Sequence, residues 1–311
     1  MNAHSFTINT PINPSALLRQ QTPLTIDQLR HYAPSAFATE AHESRSNRYT
    51  YIPTSEVIAG LIREGFQPFK ATQSRSRIEG KTEFTKHMIR FRHPDAFAKI
   101  QRVGDSVPEV VLINSHDGTS AYKLSAGLFR LVCSNGLMVS DSTVEMLSVM
   151  HKGDIVNQVI EGSFQIVGQS EKSLATAETW NQLALTAGDQ GAFADAAREL
   201  RFGDEEGEIK TPITAVDLLR PRRDEDANGP VGWRGYRTEV APKQDLWHTF
   251  NVVQENVIKG GLHGRYRAGV NGAMTNRRIT TREVKGIDQD VKLNRALWML
   301  AERMAELKAA S

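Results

Sequence analysis

A short predicted helix followed at once by two extended runs limits the fold of this chain more than any other feature. Thr54 can cap the start of the helix, and Gly65 is of the residue type that commonly ends one. Residues 66–77 and 82–92 then have the composition of strands, with a turn signal at residues 78–81. A helix that leads directly into a hairpin favours a fold in which helices pack on antiparallel strands.

The second extended run alternates between an apolar face and a basic face. Ile89 and Phe91 fall on the apolar face. The other face carries three cations, which are Lys86, Arg90 and Arg92. The first run alternates less cleanly, because Phe69 and Arg75 have the same parity. A β-bulge would restore the alternation, but the sequence alone does not reveal one.

Strand-like runs continue the predicted sheet, and helical patterns follow it. We expect further strands at residues 107–114, 119–133 and 154–160, with turns at residues 117–118 and 134–136. The pattern is helical over residues 164–200, and Thr211 with Pro212 forms a favourable helix start. Two amphipathic helices close the chain. The sequence therefore predicts an α+β fold, in which a twisted antiparallel sheet of hairpins packs on helices and a C-terminal helical region follows.

Composition divides the chain into three parts. Residues 1–48 are rich in Thr, Ser, Asn and Pro, and we expect a flexible N-terminal arm with one short helix over residues 26–31. Residues 49–210 form the predicted α+β core with the basic hairpin. Residues 211–311 form the predicted helical region, in which a basic connecting loop joins the two closing helices.

Positive charge is concentrated in two stretches. Residues 65–103 contain nine Lys or Arg and three acidic residues, and residues 261–285 contain six Lys or Arg and one Glu. The whole chain has a net charge of only +2, so the remaining residues are acidic on balance. Concentrated positive charge is what a polyphosphate partner requires.

Several classes of protein are disfavoured by the sequence. The single Cys133 rules out an intrachain disulfide and favours a reducing compartment. No apolar run approaches the ~18 residues that a membrane helix needs, and residues 1–14 lack the apolar core of a signal peptide. We therefore expect a cytoplasmic protein.

Catalytic signatures are weak. The chain has neither a Walker-type phosphate loop nor the paired Cys and His spacing of a zinc site. Ser115, His116 and Asp117 are adjacent, whereas a catalytic triad converges from separate segments, so we interpret residues 114–118 as a polar turn. Acidic residues near a Lys at residues 204–210 and 79–81 keep a metal-dependent nuclease as a minor alternative. We expect no cofactor and no metal, and favour a role other than catalysis.

The two basic stretches supply the candidate binding residues. Lys and Arg bind phosphates by charge, and each contact steepens the salt dependence of binding. The candidates in the first stretch are Lys70, Arg75, Arg77, Lys86, Arg90 and Arg92. Those in the second are Arg265, Arg267, Arg277, Arg278, Arg282 and Lys285. Phe69 and Tyr266 are candidates for stacking on the bases of a single strand.

Three segments carry a resemblance to a known family. They are residues 126–137 (AGLFRLVCSNGL), residues 246–261 with LWHTFNVVQEN and KGG, and residues 281–298 with TREVKGID and NRALW. Residues 24–305 resemble the plasmid- and phage-borne family filed as domain of unknown function 932. The resemblance implies a mobile genetic element and brings no activity or catalytic residue with it.

A second resemblance concerns the start of the core. Residues 49–51 (YTY), the short helix, Gly65 and the basic hairpin are similar to the opening of single-strand annealing recombinases such as Erf, RecT and Rad fifty-two. This resemblance implies a ring or filament of subunits with a basic groove, and no use of ATP.

Charge and resemblance together predict an ATP-independent protein that binds and anneals single-stranded DNA. The two basic stretches would line one groove of a homo-oligomer, and the duplex product could also bind there. The alternative is a protein-interaction factor of a mobile element, an inhibitor or adaptor of a host enzyme, that uses the acidic residues at 204–208. No motif separates DNA from RNA as the ligand.

Overall fold

The computed structural model describes most of the chain as two compact units. It covers residues 22–44, 51–94, 106–130, 135–138, 147–149, 154–204, 206–209, 211–221, 244–270 and 273–310. The first unit comprises Met1–Gly136 and Met146–Ser170, and the second comprises Leu137–Glu145 and Glu171–Ser311. Much of the predicted arm, residues 49–50 and Cys133 lie outside the described residues. The three-part division at residues 48 and 210 stays a prediction.

The first unit is built on an antiparallel sheet. Its elements are α1 (Ile26–Tyr32), α2 (Thr54–Arg63), β1 (Gln67–Gln73), β2 (His87–Arg92), β3 (Ser106–Asn114), β4 (Tyr122–Arg130), the start of β5 (Asn135–Met138), β6 (Leu147–Val149) and the start of α3 (Ile155–Gln182). The strand order is β1-β2-β3-β4-β5, and β6 also pairs with β4. The pairs β1–β2, β2–β3, β3–β4 and β4–β6 are antiparallel. This arrangement of strands and helices confirms the predicted α+β class.

A bulge in β1 explains the broken alternation of the first basic run. The register of β1 with β2 shifts between Pro68 and Lys70, so Phe69 is the extra residue. Beyond the bulge the alternation resumes, with Lys70 exposed and Ala71 buried. Because of this one inserted residue, Phe69 and the residues after it do not follow a single alternation of faces.

One face of the sheet packs on α2 and α3. Gly162 of α3 lies so close to β4 that an added Cβ atom would be 2.7 Å from the Leu124 side chain. Gly60 of α2 likewise lets Val156 of α3 approach, at 3.0 Å from such a Cβ atom. Small residues at these two points allow the apolar side chains around them to pack closely. The buried strand residues of this core include Ile89, Phe91, Leu112, Leu124 and Leu128.

A buried polar network joins α2 to the loop between β3 and β4. The Thr54 hydroxyl lies within hydrogen-bond distance of His87 Nε2 (3.0 Å), His116 Nε2 (3.1 Å) and Asn114 Nδ2 (3.0 Å). A hydroxyl has one proton and two lone pairs. Because the Asn114 amide donates, only one of the two imidazoles can donate to the remaining lone pair, and the Thr54 proton goes to the other imidazole or to the Tyr122 hydroxyl at 3.3 Å. The network therefore requires the neutral form of at least one ring.

The network replaces the cap that we predicted for α2. Pro53 is the N-cap residue, and Thr54 is the first residue of the helix, with its side chain turned inwards. The same network holds the N-terminal segment, because Ser35 Oγ lies 2.9 Å from His87 Nδ1 and the Ser35 N–H donates to the Gln73 side chain at 2.8 Å. Thr54 thus contributes to tertiary packing and not to helix capping.

Burial lowers the pKa of His87 from its ordinary 6.5 to about 3. The neighbouring His116 ring, whose centroid is 5.5 Å away, contributes to this lowering of the pKa. The Thr85 carbonyl and the Asp117 carboxylate oppose these two effects. Asp117 itself is buried and faces Lys81 at 3.4 Å. His87 is therefore held neutral inside the first unit.

We expect the first unit to lose stability as the pH falls from 6.5 towards 3. The unfolded chain takes up a proton at His87 in this range and the folded chain does not, so the free energy of unfolding falls by roughly 1.4 kcal/mol per pH unit. His87→Asn should flatten the profile, measured by urea unfolding with circular dichroism, whereas His31→Asn at an exposed site should not. An equally steep profile in His87→Asn would contradict this account.

From residue 171 onwards, the described part of the second unit is helical apart from one hairpin. After α3 its elements are α4 (Ala187–Phe202), α5 (Ala215–Leu218), α6 (Leu246–Lys259), β7 (His263–Val270), β8 (Ala273–Thr280) and α7 (Ile287–Ala309). Trp180, Trp247, Phe250 and Trp298 pack together, with ring centroids between 4.5 and 6.3 Å apart. The helices α6 and α7 are the two closing helices that the apolar spacing predicted.

The strand predicted at residues 154–160 is wrong, because these residues begin α3. The Asp154 carboxylate accepts the N–H of Asn157 at 3.2 Å, as an N-cap side chain does. Ile155 and Val159, four residues apart, are both buried, which is the spacing of a helix face. The short apolar run fits the periodicity of a strand as well as that of a helix. Asp154, the polar residue before it, caps the segment and favours the helix.

Two helix boundaries also differ from the prediction. The helical run over residues 164–200 is two helices, because Thr186 forms a capping box with Asp189 and starts α4. The next helix has Thr214 as its N-cap residue and not Thr211, since Thr214 forms a second such box with Asp217, and the helix begins at Ala215. In both cases a Thr with an Asp three residues later sets the boundary.

Candidate nucleic-acid interface

The basic stretch before the last helix is a β-hairpin and not the connecting loop that we predicted. β7 and β8 pair from His263 with Thr280 to Val270 with Ala273. The stretch contains few of the β-branched and aromatic residues that mark strands, which is why its composition suggested a loop. Residues 263–280 contain four arginines and no acidic residue. We call this hairpin the arginine ribbon.

Two arginines of the ribbon face each other. Arg265 and Arg278 lie directly opposite in the register of β7 and β8, and both are exposed. Side chains at such positions share one face of the ribbon, and like charges there destabilise the pairing of the strands. Within the described part of the chain neither guanidinium has an ion-pair partner. The ribbon therefore keeps an unfavourable charge pair that a bound polyanion would neutralise.

The register divides the ribbon into a cationic face and a second face. The positions of the cationic face are His263, Arg265, Arg267, Gly269, Met274, Asn276, Arg278 and Thr280. Tyr266 pairs with Arg277 and belongs to the second face. The side chains of Arg267, Tyr266 and Arg277 lie outside the described part of the structure. The register nevertheless separates the predicted stacking residue Tyr266 from Arg265, and its role stays a prediction.

The cations continue after the ribbon. Arg282 and Lys285 follow β8 and are both exposed, with the exposed Glu283 between them. The second basic stretch thus presents four described cations at the surface of the second unit, with one acidic neighbour.

Glycines close the root of the ribbon. Gly260 has a φ of +62°, and an added Cβ atom would lie 2.4 Å from the backbone of Arg282. The N–H of Gly261 donates to Thr281 O at 2.7 Å, and the N–H of Thr281 donates to Leu262 O at 2.9 Å. The two strands therefore leave the helical unit side by side.

The second face of the ribbon is packed near its root. A Cβ atom at Gly264 would be 2.7 Å from the Pro212 side chain and 3.1 Å from the Ile213 side chain. Gly264 is buried, whereas the neighbouring Arg265 is exposed. This packing turns the cationic face of the ribbon towards solvent at the described positions.

Two predicted phosphate-binding residues of the first stretch are buried in the sheet. Arg90 and Arg92 are only 2% and 3% exposed, and each forms a 2.7 Å ion pair with Glu109, which is 1% exposed. Burial lowers the pKa of the Arg92 guanidinium, and the Glu109 carboxylate opposes that effect. A phosphate contact requires an accessible guanidinium, so we leave Arg90 and Arg92 out of the interface.

Phe69 and Lys70 lie beside this buried cluster. The Arg92 guanidinium lies 4.2 Å from the centroid of the Phe69 ring, a cation–π contact. Phe69 therefore already stacks on a residue of its own unit, which removes the reason to expect that it stacks on a base. Lys70, directly opposite Arg90, is exposed at the edge strand β1.

The remaining cations of the first stretch lie at or near the β1–β2 connection. Arg75 and Arg77 flank this connection with Lys86, and the acidic Glu79 and Glu83 are exposed in it. Lys86 is half-buried. Lys99 and Arg102 lie outside the described residues. The first stretch is therefore a weaker anion surface than its sequence predicted, because buried Glu109 and local acidic residues offset its cations.

The structure brings the predicted residues together in two separate groups. Arg75 and Arg77 belong to the first unit, and Arg265, Arg278, Arg282 and Lys285 belong to the second. The prediction that both stretches line one groove stays a prediction. Sequence reasoning missed Glu109, although a single acidic residue within the apolar strand 107–113 is a signal that a buried cation pairs with it.

The described ranges provide neither a metal centre nor a membrane span. No group of three or more His, Cys, Asp or Glu residues there converges in a way that could hold a metal ion. None of the described helices combines the length and apolar character needed to span a bilayer.

The fold and the surface thus define the class of this chain as an α+β protein with an exposed arginine ribbon. The family model described as "Domain of unknown function (DUF932)" matches residues 41–298. The chain therefore belongs to this family, as its sequence resemblance predicted. No solved structure matches the chain.

Two relatives from Escherichia coli (strain K12) extend over nearly the whole chain. They are the UPF0380 protein YafZ and the UPF0380 protein YfjQ, each 44% identical over 288 residues. The matched region covers 93% of this chain and 94% of each relative.

We expect substitutions of Glu109 and of Arg90 in the buried ion cluster to have different effects on stability. Glu109→Gln leaves two buried cations without a counter-charge, and should lower the free energy of unfolding by roughly 3–5 kcal/mol. Arg90→Met keeps the Arg92–Glu109 pair and removes a cation whose Nη2 atom has no hydrogen-bond partner, so stability should stay close to that of the wild type. Urea unfolding at neutral pH measures both, and equal losses would contradict the proposed charge balance.

Proposed function

We propose that the protein binds single-stranded DNA through the arginine ribbon and promotes annealing without ATP, as an oligomer encoded by a mobile genetic element. The observation that carries the proposal is the exposed pair of Arg265 and Arg278, which face each other in a hairpin without acidic residues. A polyanion is the ligand that would relieve their repulsion.

The composition of the cationic face supports a ligand held by its phosphates. No Phe, Tyr or Trp occupies the register positions of that face, so base stacking is not expected there. Phosphate contacts position a nucleic acid without reading its sequence. A strand held in this way keeps its base edges free for a complementary strand, which is what annealing requires. The sheet packed on α2 and α3 is compatible with the annealing class that residues 49–92 resemble.

Fluorescence anisotropy of a labelled single strand tests the binding. Arg265→Ala/Arg278→Ala should weaken binding of every sequence by a similar factor. The slope of log K against log salt should become shallower by about 0.7 for each phosphate that the variant no longer binds. The matched control is Arg295→Ala/Arg303→Ala, which removes two exposed cations from α7 of the same unit.

The control should keep both the affinity and the slope of the wild type. Equal losses in the two double variants would mean that net charge alone drives binding. No anisotropy change with wild-type protein at low salt would refute the proposed ligand altogether.

Annealing is tested separately from binding. Two complementary strands with a donor and an acceptor dye should pair faster with the protein than without it, in the absence of ATP. Light scattering with and without the oligonucleotide reports whether the chain assembles into a larger particle. Binding without faster pairing would retain the nucleic-acid ligand and reject annealing.

A protein partner is the competing outcome. The turn at residues 203–209 presents exposed Asp204, Glu206 and Glu208, which could bind a basic surface of a host protein. Capture from a host lysate with and without nuclease separates the two functions. A partner that survives nuclease treatment favours the protein-interaction role.

A further inference from the structure

One arginine of α4 connects the two chain ends of the ribbon. Arg201 Nε donates to Val257 O at 3.2 Å, and Arg201 Nη2 donates to Arg282 O at 3.1 Å. Val257 lies in the last turn of α6, before the ribbon, and Arg282 lies two residues beyond the end of β8. A single guanidinium therefore binds the backbone on both sides of the ribbon's root.

These contacts satisfy backbone groups that would otherwise lack partners. The last four carbonyls of a helix have no intrahelical N–H to accept from. At the end of α6, Ile258 O accepts the N–H of Val284 at 2.8 Å, and Val257 O accepts from Arg201. The end of the helix is thus completed by the segment that follows the ribbon and by one side chain of α4.

A second arginine of α4 supports the surface beneath the ribbon. Arg198 lies one helical turn before Arg201, which places both on one side of α4. Its Nε donates to Ile213 O, and its Nη2 donates to Thr211 O at 3.4 Å. Pro212 and Ile213 are the residues against which Gly264 packs. The two arginines therefore bind backbone carbonyls in two different segments of the same root.

The geometry of these bonds depends on the guanidinium group. Its nitrogens are fixed in one plane and can donate to two acceptors at once. A lysine carries the same charge on a single nitrogen at the end of a flexible chain, and does not reproduce the fork. A role that depends on the fork is therefore distinguishable from a role that depends on charge.

We infer that Arg201 is a positioning residue of the interface, which fixes the orientation of the arginine ribbon and acts on nucleic acid only through it. The inference rests on the proposed function for its link to DNA. The structural claim, that Arg201 fixes the orientation of the ribbon, is testable without any ligand.

Hydrogen exchange of the full chain tests the hold on the ribbon. Arg201→Met and Arg201→Lys should both speed amide exchange in residues 263–280 several-fold, while the core of α6 keeps its protection. Arg303→Met, which removes an exposed arginine of α7, is the matched control and should leave the ribbon unchanged. Wild-type protection of the ribbon in Arg201→Met would overturn the inference, whatever the protein binds.

A double-mutant cycle tests the link to nucleic acid. Arg201→Met should weaken oligonucleotide binding and lower the salt slope, and Arg201→Lys should bind as weakly although it keeps the charge. In the Arg265→Ala/Arg278→Ala background, Arg201→Met should cause a much smaller further loss than in the wild type, because two of the cations that it positions are absent.

The cycle also has outcomes that reject the inference. Additive losses, or full affinity in Arg201→Lys, would mean that Arg201 contacts the ligand directly. If the wild-type protein binds no DNA, the proposed function fails, and the hydrogen-exchange result still decides whether Arg201 holds the ribbon.

Discussion

The orientation of the arginine ribbon depends on its root, because the charges along the ribbon work against its own pairing. Arg265 and Arg278 repel each other across the two strands, and an isolated two-stranded hairpin is marginal in water. The compensating forces lie where the ribbon meets the helices, in the bonds between Gly261 and Thr281 and in the packing of Gly264. The second unit therefore stabilises the arginine ribbon at its root. The charges of Arg265 and Arg278 stay without an ion-pair partner in the described part of the chain.

The two basic stretches of the chain show how one pattern leads to two results. In β2 the alternation of apolar and basic residues places Arg90 and Arg92 on one face, as predicted, but that face is buried and Glu109 on the next strand neutralises part of its charge. In the ribbon no acidic residue is available within the hairpin, and Arg265 and Arg278 stay at the surface. The location of counter-charges, more than the number of cations, decides which stretch keeps its cations at the surface.

The sequence predicted most of the first unit for physical reasons that act locally. Period-two alternation and turn residues located β1 to β4, and apolar spacing located the two closing helices. It failed where a competing local bond decided the structure, as at Asp154, where a cap converts a strand-like run into a helix. It also failed for Thr54, whose hydroxyl forms hydrogen bonds with residues distant in the chain and does not cap the helix.

The candidate site was predictable only in part. Alternation cannot show that both faces of β2 are buried, since that depends on what covers the sheet. Low β-propensity hid the ribbon, because the pairing of β7 with β8 joins residues that have few strand-forming side chains. No sequence signal near Arg201 indicates that its guanidinium binds the carbonyls of Val257 and Arg282, because these contacts exist only in the folded unit.

Cross-linking tests the central claim most directly. Ultraviolet irradiation of the full chain with a photoreactive single strand, followed by mass spectrometry of the linked peptides, reports which residues touch the nucleic acid. The account predicts links concentrated between residues 263 and 285. Links confined to the first unit, or none above the level seen with an uncharged control polymer, would contradict it.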